Sequence, residues 1–118
     1  MTIEEFYKAI NEDYNMMLER FGSPERIKKY TLMFAHDDTY ANLVKAMEVK
    51  DYETAFRMVH TLKGVSSNLC FMQLYNSAVV LTDILRAKNY SSDMDVPFIK
   101  VKEEYNKIAD VLAQYINQ

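Results

Sequence analysis

Four residues spaced along one helical strip carry the groups that group-transfer chemistry needs: His60, Lys63, Gly64 and Ser67. A helix advances about 100° per residue, so positions three, four and seven after a histidine lie on its side of the helix. An imidazole titrates near 6.5 and is therefore a competent nucleophile in neutral water when it faces solvent. Lysine one turn away supplies a mobile positive charge that can offset negative charge arriving at the ring. Glycine leaves room for a partner surface to come close enough for in-line transfer, which requires reacting atoms about 3 to 3.5 Å apart. In a helix interior it also costs roughly 1 kcal/mol relative to alanine. A mid-helix glycine beside a histidine therefore points to a steric role.

Such a strip needs a helix whose reverse side is buried. Ala55, Met58, Val59, Leu62, Val65 and Leu69 supply that side at helical spacing, and Asp51 is placed to cap the start. The helix is expected to end or bend near Asn68-Leu69-Cys70. Leu74, Ala78, Leu81, Ile84 and Leu85 then form the apolar stripe of a second helix, so the two make a hairpin. Arg86 on this second helix reads either as an ordinary solvated charge or as a residue on the His60 side that helps dock an acidic partner. Phe56, one turn before His60, reads either as an apolar docking contact or as packing against the neighbouring helix.

Before the site, Thr2 and Glu5 stand at capping-box spacing, and Ile3, Phe6, Tyr7, Ile10, Tyr14, Met17, Leu18 and Phe21 recur at helical intervals. This pattern predicts one helix of about five turns closed by Gly22. Ser23-Pro24 opens a shorter helix with Ile27, Tyr30, Thr31 and Phe34 on one side. Ala35-His36-Asp37-Asp38 ends it and caps a third, with Tyr40, Leu43, Val44 and Met47 inward. After the hairpin, Asn89-Tyr90-Ser91-Ser92-Asp93 reads as a loop, and Pro97 as the start of a last helix carrying Phe98, Val101, Tyr105, Ile108, Leu112, Tyr115 and Ile116. The fold class is all-α: an antiparallel four-helix bundle with one or two extra short N-terminal helices, forming a single domain over residues 1–118.

Composition supports that class and narrows the function. Two glycines and two prolines among 118 residues leave few tight turns for an all-β fold, and a hydrophobic share of 49% is ordinary for a globular chain. A net charge of −3 argues against a nucleic-acid partner, since phosphate backbones call for clustered positive surface. No apolar run approaches the roughly 18 to 20 residues of a membrane span, and the acidic start Met1-Thr2-Ile3-Glu4-Glu5 is unlike a signal peptide. The expected location is cytoplasmic. Met1 followed at once by a helix cap is expected of a free-standing protein. Cys70, the single cysteine, has no internal partner for a disulfide and reads as a small buried hydrophobe. His36 beside Asp37 and Asp38 is explained by capping, so no resident metal or cofactor is expected.

Val59-His60-Thr61-Leu62-Lys63-Gly64-Val65-Ser66-Ser67-Asn68-Leu69 resembles the signature of histidine-containing phosphotransfer (HPt) domains, in which histidine is followed by a hydrophobic residue, lysine, glycine and small residues. Agreement elsewhere is in length, helix order and the position of Asp51. Where the family often has glycine, this chain has Cys70. The resemblance implies a phosphorelay intermediate in which His60 accepts and donates a phosphoryl group. Lys63, Gly64, Ser67 and Arg86 would stabilise phosphate or dock the partner. Implied partners are receiver domains of response regulators or hybrid kinases, any Mg²⁺ sitting on the partner's side. The chain has no glycine-rich nucleotide loop, so the expected role is a monomeric carrier without kinase activity. The competing reading is a helical-bundle protein-binding module without phosphotransfer. A histidine-based hydrolase would need carboxylates or cysteines converging on His60, and the sequence offers none.

Overall fold

The computed structural model describes all residues from Met1 to Gln118. Seven α-helices follow one another without a strand: α1 (Ile3–Ala9), α2 (Tyr14–Phe21), α3 (Pro24–Ala35), α4 (Thr39–Glu48), α5 (Tyr52–Asn68), α6 (Met72–Arg86) and α7 (Asp95–Ile116). α4 to α7 form the bundle. α5 packs between α4 and α6, and α6 packs on α7. Tyr40 of α4 and Tyr105 of α7 stack with ring centroids 3.7 Å apart and planes within 6° of parallel, which ties the first bundle helix to the last. The three-residue turn between α5 and α6 reverses the chain and makes them the expected antiparallel hairpin.

The opening segment corrects the sequence reading: it holds two helices. The capping box of Thr2 and Glu5 forms as expected, but α1 stops after Ala9. Asn11 turns into the left-handed region at φ 58°, the Asn11 amide donates to Lys8 O and the Glu12 amide to Tyr7 O. This is the pairing that closes a helix with a left-handed residue, a conformation asparagine tolerates better than most. Asp13 then caps α2 by accepting from the Met16 amide at 3.2 Å. Three helices rather than one or two therefore precede the bundle helices.

Two smaller differences follow from cap chemistry. α7 begins at Asp95, so Pro97 is its third residue; amides in the first turn have no partner within the helix, and proline loses nothing by lacking one. A short 3-10 turn, Ser92–Met94, leads into α7 out of the expected loop. At the start of α4, Asp38 makes no side-chain cap, and Asp37 accepts from the Thr39 amide at 2.8 Å instead. The core takes 25 buried apolar side chains from all seven helices and the turns between them. Four of these, Ala55, Val59, Leu62 and Leu69, come from the reverse side of the His60 strip and its exit turn, while Met58 and Val65 are half-buried at its margins. Full burial of a Val or Leu side chain contributes about 1.5 to 3 kcal/mol, so this stripe fixes which way α5 faces.

Candidate phosphoryl-transfer site

α5 is held firmly at both ends, and the strip lies between. At the start, Asp51 accepts from the Thr54 hydroxyl at 2.6 Å and from the Thr54 amide at 3.2 Å. These bonds, the hydroxyl's first, hold the Asp51 carboxyl below its ordinary range. At the end, Cys70 adopts φ 56°, its amide donates to Ser67 O and the Phe71 amide donates to Ser66 O at 2.9 Å. The departure at Cys70 therefore leaves a glycine-type turn in place, built with a buried thiol that burial pushes up in pKa.

Side chains from the N-terminal helices complete this end of α5, and no local pattern in the chain marks them. Arg20 Nη1 donates to Ser67 O at 2.6 Å and to Asn68 O at 2.9 Å. Tyr7 Oη donates to Leu69 O at 2.8 Å from a buried position, where desolvation raises its phenol pKa. The last carbonyls of a helix have no partner within it, and a guanidinium there also meets the negative end of the helix dipole. Locally, Arg20 looks like any cation in the last turn of α2. Only the tertiary fold brings it to a carbonyl 47 residues away.

On the strip itself, His60 and Gly64 are exposed, and Lys63 and Ser67 are half-exposed. Lys63 has no ion-pair partner. A Cβ placed on Gly64 would meet nothing within 4 Å, so the protein presents open space there. Ser67 offers its carbonyl to Arg20, whereas the neighbouring Ser66 is buried with its hydroxyl donating to Leu62 O at 2.7 Å. Phe56 is half-buried, and its ring lies parallel to the His60 ring within 3°, centroids 5.9 Å apart. Arg86 reaches across from α6 to place its guanidinium 5.6 Å from the Phe56 centroid, and it pairs with Asp83 at 3.1 Å. The fold thus brings Arg86 to the His60 side through Phe56. His36 is an exposed helix-end residue outside this arrangement, and no three His, Cys, Asp or Glu side chains are grouped as metal ligands.

The strip is an open helix face. A cleft of about 540 Å³ opens at the far end of α5 among Arg20, Phe21, Tyr30, Met33, Val65 and Asn68, and His60 does not line it. Small-molecule sites are concave and bury most of their ligand, so an exposed imidazole beside open space suits a macromolecular partner better. No helix is long and apolar enough to cross a membrane.

Comparison with curated proteins and with solved structures finds no match. The family model described as Hpt domain matches residues 33–117, a span that contains α4 to α7 and the whole His60 strip, and the chain belongs to the Hpt domain family.

Proposed function

We propose that this chain is a phosphorelay intermediate: His60 takes a phosphoryl group from the aspartyl phosphate of one receiver domain and delivers it to the aspartate of another. A ring nitrogen of the neutral imidazole attacks phosphorus, the bond from phosphorus to the carboxylate oxygen breaks, and the aspartate leaves with the electron pair. The other ring nitrogen keeps its proton, so the phosphorylated ring needs no base. Family membership and the open setting of His60 support this reading, and the observation that carries it is the exposed imidazole with vacant space over Gly64.

Lys63 lies one turn on without a competing carboxylate and offsets the charge gained on phosphorylation, as a mobile point charge. Gly64 admits the partner's acidic pocket, and Arg86 and Ser67 border the docking face. Residues 1–118 act as one cytoplasmic, monomeric domain that carries the group without making it, and the receiver supplies any Mg²⁺.

Incubation with an aspartyl-phosphorylated receiver domain tests the proposal. The expected product is a label on this chain that acid removes and base spares, and that His60→Gln abolishes while the fold persists. A label retained by His60→Gln, or none on the parent, refutes the carrier role and leaves a binding module.

A further inference from the structure

We propose that Phe56 is a positioning residue for His60, ordering the imidazole before any partner arrives. The proposal rests on His60 being the phosphoryl carrier. Helical side chains lean toward the N-terminus over the residue four positions back, and for His60 that residue is Phe56. The two rings are parallel within 3° at 5.9 Å between centroids, within the range of offset aromatic pairs. Phe56 is itself held on two sides. Its half-buried ring packs against the core, and the Arg86 guanidinium lies 5.6 Å from its centroid, steered by the ion pair with Asp83. The order imposed on the imidazole thus originates in α6, which packs on α5.

Order at this ring has a direct consequence for transfer. An exposed histidine on a helix otherwise divides itself among staggered χ1 wells, and only conformers aimed outward can meet phosphorus in line. A partner that must wait for the competent conformer sees its effective affinity reduced by that conformer's population. A flat aromatic face at position 56 raises that population without touching phosphate, and an aliphatic side chain of similar bulk does not.

The test compares Phe56→Leu and Phe56→Trp with the parent, reading His60 χ1 populations from three-bond NMR couplings and the rate of labelling by phosphoramidate, a donor that needs no protein docking. The expected result for Phe56→Leu is a spread of χ1 populations and labelling roughly three- to tenfold slower, the scale of one aromatic pair. Phe56→Trp, which restores a flat face, should keep both near parental values. Unchanged couplings, or unchanged labelling despite altered couplings, overturns the proposal. If only transfer from a phosphorylated receiver falls, Phe56 is a docking contact and the proposal is again overturned. Failure of the parent to label at all refutes the carrier role instead, and the couplings still decide whether Phe56 orders the ring.

Discussion

Gly64 and Cys70 lie six residues apart, and each occupies a position where the other's residue type would cost less backbone energy. Gly64 sits inside α5 with nothing within 4 Å of where a Cβ would go, so alanine would fit and favour the helix. Cys70 sits at φ 56°, where glycine is unstrained and an L-residue gives up about 1 kcal/mol. On the exposed strip the protein forgoes helix stability to have no side chain. In the exit turn it accepts backbone strain to keep a side chain that is fully buried. Backbone preference decides neither position. What packs inside decides Cys70, and on the proposed function a partner's approach from outside decides Gly64.

The largest effect is expected at Gly64. Gly64→Gln should slow transfer from a phosphorylated receiver on the order of a hundredfold, because a displacement of about 1 Å in the approach is enough to do so. Labelling by phosphoramidate should stay at the parental rate. Equal loss with both donors would mean that the side chain disturbs the imidazole itself; equal retention would remove the close-approach argument. A smaller effect of opposite sign is expected from Gly64→Ala, which should raise the free energy of unfolding by about 1 kcal/mol in urea titrations. No gain would show that some contact on the strip already favours glycine there. The smallest effect is expected at the other position. Relief of strain in Cys70→Gly should nearly offset the lost burial of a small side chain, so that stability stays within about 0.5 kcal/mol of the parent. A loss above about 2 kcal/mol would show that packing of the thiol, rather than a balance, holds the turn.

α5 was legible in the sequence because its signals are local. Asp51 caps it, the apolar stripe from Ala55 to Leu69 orients it, and the polar Asn68 falls at its end. The break at Asn11 was hidden for the opposite reason: Ile3, Phe6, Tyr7, Ile10, Tyr14 and Met17 keep helical spacing straight across it, since α1 and α2 both bury apolar sides in the same core. With two glycines in the chain, the left-handed helix stops fall on Asn11, Lys50, Cys70 and Lys88 as well as Gly22, and only the last carries an obvious sequence mark. Contacts between distant segments were the least legible. Tyr7 and Arg20 reach the end of α5 across 62 and 47 residues, and Arg86 meets Phe56 only because α6 packs on α5 in one register. No spacing rule within a helix reports such pairs.

Where the phosphoryl group goes tests the proposed function most directly. After incubation with a phosphorylated receiver, ³¹P NMR of the isolated chain should show a resonance of phosphorus bonded to an imidazole nitrogen, present in the parent and absent from His60→Gln at equal folded concentration. A resonance that survives in His60→Gln, or one from a phosphate ester in the parent, would contradict it.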